Sequence, residues 1–431
     1  MSASTIVSVR GRRVWDSRGR PTVEADVRLS GGAMGRAIAP AGASMGSGEA
    51  LDRRDGGTAF GGRDVTLAVA GIEGEIDKAL RGRDAADQDG IDRALIALDG
   101  TPGKSRLGGN ALVAVSMAVA HAAAGAAGEP LWRHLAGGRA CRLPLPEIQI
   151  FGGGAHAAGR VDVQDFMVIA VGAKDYVQAL DWPAEVYRAA GALMADAGLL
   201  QGVADEGGFW PAFAGNEDAL DMLLKAIERA GYAPGRDVAI SLDIAASEFG
   251  RNGRYKLASE ERELDSDGMA DMLLGWLDRY PIVAIEDPLA EDDEAGLIRF
   301  TRAVAGRAQV VGDDFLVTNA ARVRSAAAAG ACNTALIKPN QVGTLTETKA
   351  ALDAARAAGW GVIVSARSGE SEDTTIVHLA VGWGAAQLKV GSFARSERMA
   401  KWNEGIRIAE DLGGRGELPP RSAFPWGTAG R

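Results

Sequence analysis

Five charged side chains stand at or near the ends of short apolar runs, and their types point to chemistry on an anion. Asp243 closes VAISLD (238–243), Glu286 lies in IVAIED (282–287), and Asp313 lies in QVVGDD (309–314). Lys338 closes TALIK (334–338) and Lys389 sits in AQLKVG (386–391). A sixth run, GVIVSA (361–366), leads into Arg367 and Ser368, a planar cation and a hydroxyl suited to gripping an anionic group. Three carboxylates forced together repel and raise one another's pKa values. Oxygen ligands from separate strands are also what Mg²⁺ takes while keeping positions open for substrate. A divalent-metal site is the economical reading of the acids. The lysines have two readings. Beside bound cations a buried ammonium has its pKa lowered, which frees the neutral amine as a general base. Alternatively, both lysines are ion-pair partners of the acids.

The elements that must position these residues follow from the rhythm of the chain. Before about residue 140 it mixes strand-like alternation, as in PTVEADVRL, with helical stretches such as IDRALIALDG and the Ala-rich run from Asn110 to Gly128. After CRLPLPEIQI, whose prolines mark a linker entering a strand, short apolar runs alternate with Ala- and Leu-rich helical ones such as LTETKAALDAARAAG. That alternation predicts parallel strands joined by right-handed crossovers, closed into a barrel. In such a barrel, residues at strand carboxyl ends converge on one face, where sites are built.

Composition sets the outer bounds. A chain of 431 residues suggests two domains, or one barrel with an extra piece. With 47% hydrophobic and 24% charged residues it reads as an ordinary soluble protein. A formal net charge of −10 argues against nonspecific nucleic-acid binding, so a small anionic substrate needs a local basic pocket. Cys141 and Cys332 cannot form a disulfide framework and fit a reducing cytosol. No signal-peptide pattern or spanning segment is read, and the Ala-rich run is expected as a tightly packed buried helix; the expected location is cytoplasmic, without a membrane partner. FGGGAHAAG lacks the spacing of a P-loop and is read instead as a mobile loop presenting His156. His121, His134 and His378 lie in helical apolar settings and are read as packing or surface residues.

Together these residues resemble the enolase family. The likeness runs through DSRGRPTVEADV, GASMGSGEALDRRDGG, KSRLGGNALVAVSMA, VADEGG, SLDIAASEF, YPIVAIEDPLAEDD, GDDFLVTN, LIKPNQVGTLTET, SARSGESEDTT and ARSERMAKWN, in that order along nearly the whole chain. The resemblance implies an α/β protein with a modified (β/α)₈ TIM-type barrel (139–431) behind an N-terminal α+β domain (1–138). It implies a homodimer or higher assembly, and two Mg²⁺, the second arriving with substrate. The implied activity is dehydration of 2-phosphoglycerate or a close phosphorylated or phosphonylated analogue.

Residue by residue, the resemblance makes Asp243, Glu286 and Asp313 ligands of the first metal, and Ser44, on the loop AGASMGSG, a ligand of the second. Lys338 becomes the base that removes the C2 proton, a pairing of lysine and Mg²⁺ that belongs to such sites. Lys389 then helps hold the charge of the resulting dianion. Glu206 donates a proton to the departing 3-hydroxyl and is expected to be held protonated by its surroundings. Gln164 contacts substrate, Arg367 and Ser368 grip phosphate, and His156 reaches the site. Four departures stand out: Ala366 where the family has His, Asp165 where it has Glu, Gly152-Gly153-Gly154-Ala155-His156 for Asn-Gly-Gly-Ser-His, and Met45 for Thr. All four are expected on the wall around phosphate and leaving group. That pattern favours, as an alternative, a dehydratase for a different anionic substrate, such as carboxyphosphonoenolpyruvate synthase of phosphonate pathways. A noncatalytic, enolase-like binding protein is the third reading.

Overall fold

PTVEADVRL alternates residues between two faces and forms the central strand of an antiparallel sheet. The sheet comprises β1 (Ile6–Trp15), β2 (Pro21–Leu29) and β3 (Met34–Ile38) in the computed structural model, which describes residues 2–428. Val23, Ala25 and Val27 on one face of β2 are fully buried. On the other face Glu24 and Asp26 are covered by Arg12 and Arg36, with Arg36 Nε donating to Asp26 Oδ1 at 2.7 Å. The Ala-rich run forms the helix Gly109–Ala126 against this sheet. Small side chains let the two surfaces meet closely: a Cβ on Gly35 would lie 2.0 Å from the carbonyl oxygen of Ala118. The helix is long and apolar enough to cross a membrane, yet 83% of it is buried inside the fold, so its apolarity serves packing.

The barrel begins with β4 (Leu145–Gly152), β5 (Asp165–Ile169) and β6 (Ala239–Asp243). A small sheet of β7 (Gly250–Arg251), β8 (Arg254–Leu257) and β9 (Arg262–Asp265) intervenes. The barrel then continues through β10 (Ile282–Glu286), β11 (Gln309–Gly312), β12 (Thr334–Ile337), β13 (Gly361–Ser365) and β14 (Gln387–Gly391). It closes in the order β10-β11-β12-β13-β14-β4-β5-β6. Seven of these strands are the apolar runs read from the sequence, continuous because each is buried on both faces, and β5 is the one that reading missed. Val311, Leu336 and Ile363 form an apolar layer inside. At the amino ends of the strands a polar layer follows, in which Gln309 Nε2 donates to Gln387 Oε1 at 2.7 Å and Trp426 Nε1 to Gln309 Oε1 at 3.2 Å.

One expectation is corrected here. The barrel is not wholly parallel, because β5 runs antiparallel to both β4 and β6. The link between β4 and β5 contains only the short 3₁₀ turn Gly154–Ala157, with no crossover helix to carry the chain back to the barrel's other end. The reversal has a direct consequence for the site. Asp165, at the start of β5, pairs with Gly152 and Asp243, which end their own strands, and so reaches the same barrel face as the strand carboxyl ends.

Candidate active site

Strand register assembles the charged residues before any side chain is considered. Glu286 pairs with Asp243 across β10 and β6, and Ser365 pairs with Lys389 across β13 and β14. Asp313 directly follows β11, and Lys338 directly follows β12. Ala43, Ser44, His156, Gln164, Asp165, Glu206, Asp243, Lys338, Ser365, Ala366, Arg367, Ser368 and Lys389 line one cavity at this end of the barrel. Its volume is about 20 Å³, room for little more than one water molecule. Glu286 and Asp313 are buried against its lysines.

Lys389 Nζ donates to Asp243 Oδ2 at 2.7 Å and to Glu286 Oε2 at 2.8 Å, and lies 3.6 Å from Asp165 Oδ2. Lys338 is ion-paired with Asp313, whose other oxygen accepts from Gln341 Nε2 at 2.8 Å. Burial works to raise Asp243, but the Lys389 ammonium outweighs it and holds this carboxyl below its ordinary range. Glu286 goes the other way: burial, reinforced by the Asp243 charge, pushes it well up. For Lys338 the expected depression is reversed. Burial lowers it, but the Asp313 carboxylate overcomes that and leaves the ammonium above its ordinary value. Of the two readings of the lysines, ion pairing describes their geometry as they stand.

The other side of the cavity is built on His156. Its Nδ1 lies 2.8 Å from Asp165 Oδ1 and its Nε2 3.6 Å from Glu206 Oε1, all three residues being buried. Burial opposes charge on the imidazole, but Asp165 and then Glu206 outweigh it and push His156 up to about 9. Glu206 is therefore not held protonated, contrary to expectation. Burial raises it, but His156 and Arg398 bring it below its ordinary value. Burial also pushes Asp165 up, against the pull of the imidazole beside it.

Arg367 and Ser368 are held from both domains. Arg367 Nη1 donates to Glu49 Oε2 at 2.9 Å and to Asn340 Oδ1 at 3.1 Å, while Nη2 donates to the Ser44 carbonyl at 2.9 Å. Arg18 Nη1 donates to Ser368 Oγ at 3.3 Å. Behind the loop, the fully buried Arg398 donates from Nη1 to the Arg367 carbonyl at 2.7 Å and to that of Val390 at 2.8 Å.

All the sequence-predicted site residues meet at this end of the barrel, but the four departures do not share one wall. Ala366 and Asp165 line the cavity, whereas Met45 is 51% exposed and faces two outer cavities. Gly152 and Ala155, the positions that differ in the glycine-rich loop, do not line the cavity either; a Cβ on Gly152 would lie 2.7 Å from the Cβ of Ala204. Sequence reasoning missed Glu49, Gln149, Asn340 and Arg398. Gln149, which donates to Asp165, carried a readable signal: Glu147 and Gln149 occupy alternate positions of an otherwise apolar strand, so both point inward. Glu49 carried none, because its partner lies 318 residues away. His121 and His378 stack edge to face at 6.0 Å, outside the cavity.

The donor set suits a hard divalent cation. Asp243, Glu286 and Asp313 offer only oxygen, and the buried Glu286 Oε1 and Gln164 Oε1 have no hydrogen-bond partner among the described residues. Among the described residues, ligand atoms lie within 4.8 Å of one another in Asp287, Asp313 and Asp314 and in His156, Asp165 and Glu206, whereas Asp243, Glu286 and Asp313 do not form such a group and are engaged by Lys389 and Lys338 instead. A family model described as the enolase C-terminal TIM barrel domain matches residues 140–423, and one described as the enolase N-terminal domain matches residues 6–135.

Proposed function

The chain belongs to the enolase family, and from that membership we propose that it is a Mg²⁺-dependent hydro-lyase acting on 2-phosphoglycerate or a close analogue. The product is phosphoenolpyruvate or the corresponding analogue. One observation carries the reading: two lysines, Asp243, the Glu206–His156–Asp165 group and Arg367 with Ser368 line one cavity, with Asp313 and Glu286 paired to its lysines. Asp243, Glu286 and Asp313 would hold the first Mg²⁺, and Ser44 would join a second bound with substrate. When bound, Mg²⁺ supplies positive charge to the substrate carboxylate as it gains electron density.

The chain's own residues then divide the work. Arg367 and Ser368 hold the phosphate, Arg supplying a planar fork, and Gln164 orients the substrate. Lys338 Nζ, in its neutral form, takes the proton from C2. Its pairing with Asp313 favours the protonated form, so the base is released only as that carboxylate turns its charge elsewhere. Lys389 keeps a positive charge beside the carboxylate end. At the leaving group, Glu206, an anion at rest, takes the proton of the His156 imidazolium 3.6 Å away and passes it to the 3-hydroxyl, which departs as water. The segment bearing Ser44 must shift to admit substrate into so small a cavity, which makes it the gate.

Ala366 favours a second reading. It removes an imidazole from the phosphate end while Lys338 and the acids remain, which suits the same dehydration on a different or larger anionic group. That is the reaction type of carboxyphosphonoenolpyruvate synthase on 2-phosphonoformylglycerate. The deciding experiment follows ultraviolet absorbance of the enol product from 2-phosphoglycerate with Mg²⁺, for wild type and Ala366→His. Ordinary enolase turnover by the wild type sinks the second reading. Feeble turnover restored by Ala366→His supports it. Absence of turnover on every phosphorylated or phosphonylated glycerate leaves the noncatalytic reading. We also propose a cytoplasmic homodimer or higher homo-oligomer, checked by light scattering.

A further inference from the structure

The segment from Ala41 to Asp52 separates the catalytic cavity from a second one. That second cavity, about 210 Å³, is lined by Arg18, Arg20, Arg54 and Arg63, with Met45, Glu49, Leu51, Asp52 and Asn340 among its other walls. Four arginines on one cavity are unusual in a chain whose net charge is −10. Pairing the charges leaves a surplus. Glu49 is taken by Arg367, Asp52 Oδ2 by Arg54 Nη2 at 2.6 Å, and Asp16 by Arg18 at 3.6 Å. The side chains of Arg20 and Arg63 have no hydrogen-bond or ion-pair partner among the described residues. Arg54 also ties together the backbone on which those two stand, Nη1 donating to the Pro21 carbonyl at 2.7 Å and to the Arg63 carbonyl at 3.0 Å. Arg18 donates to the carbonyls of Ala41 and Gly42 at 2.8 and 3.2 Å, so this wall is continuous with the segment over the active site.

We propose that this cavity is a second anion site, distinct from the Arg367–Ser368 grip, which takes a small doubly charged oxyanion of phosphate type between Arg20 and Arg63. Guanidinium forks match such an anion in planar, paired hydrogen bonds, and two unmatched cations on one concave surface focus its field. Asp52 and Glu49 do not oppose the anion, because each is already neutralised by an arginine.

The probe is inorganic phosphate, titrated calorimetrically into the full chain at constant ionic strength, with chloride as the control anion. Wild type is expected to bind phosphate saturably and to gain thermal stability that chloride does not give. In Arg20→Gln/Arg63→Gln this binding event weakens at least tenfold, while Arg20→Lys/Arg63→Lys retains an intermediate affinity. Since neither side chain has a partner to lose, both variants are expected to melt like wild type without phosphate. Absence of saturable binding in wild type, or phosphate binding within twofold of wild type in the glutamine pair, overturns the proposal. The readout is binding alone, so it stands or falls apart from the dehydratase reading.

Discussion

The two sides of the catalytic cavity hold their protons in opposite ways. On the lysine side each ammonium is locked by carboxylates: Lys389 by Asp243 and Glu286, Lys338 by Asp313. On the imidazole side one cation, His156, is shared between two acids, and its closer partner is Asp165 rather than Glu206. The first arrangement favours holding charge until a stronger cation competes for the carboxylates. The second keeps a proton that can move at neutral pH. The two departures that line the cavity fall on different sides: Asp165 pairs with His156, whereas the Ala366 N–H donates to the Lys389 carbonyl at 2.9 Å, on the lysine side.

The contrast can be broken most directly at its base. Lys338→Ala is expected to slow solvent exchange of the C2 proton by roughly 10²–10⁴-fold, measured by deuterium incorporation. Retained exchange would move the base elsewhere and erase the distinction between the two sides. Asp313→Asn tests the lock: Mg²⁺ affinity measured by calorimetry should fall by about 10–100-fold, and unchanged affinity removes Asp313 from the ligand set. On the imidazole side, Glu206→Gln is expected to lower turnover by about 10²-fold while leaving C2 exchange largely intact, since only the leaving-group step loses its proton donor.

A smaller effect sharpens the comparison through stability. His156 is raised from 6.5 to about 9 in the folded chain. A raised cationic group stabilises the fold fully below its unfolded value and loses that contribution as pH climbs through its folded value. Wild-type stability toward urea should therefore fall between pH 6.5 and about 9 by on the order of 2–3 kcal/mol relative to His156→Gln, whose profile should be flatter there. Parallel pH profiles would remove the proton from the imidazole.

Every barrel strand but β5 was legible because strands buried on both faces are short, continuous and apolar, and charged residues at their ends stand out against that background. The lysines and acids were legible for the same reason. The proton states were not, since they depend on which carboxylate lies nearest which cation across the barrel. His156 and Glu206 lie 50 residues apart in sequence, and only their juxtaposition at 3.6 Å lowers one and helps to raise the other. The reversal of β5 was equally hidden. Its apolar run reads the same in either direction, and the short link before it decides the matter.

By itself the sequence determined the alternation that makes a barrel, the charged strand ends and the family likeness, because these are written in residue type and local spacing. Tertiary structure alone decided that Asp165 enters the site by running its strand backwards, and that Arg367 is clamped by Glu49 from the other domain. It also decided that Lys338 rests as a cation and Glu206 as an anion. Those outcomes are set by burial and by charges brought together over long stretches of chain, and the electrostatic energy of a group depends on its neighbours in space rather than on those beside it in sequence.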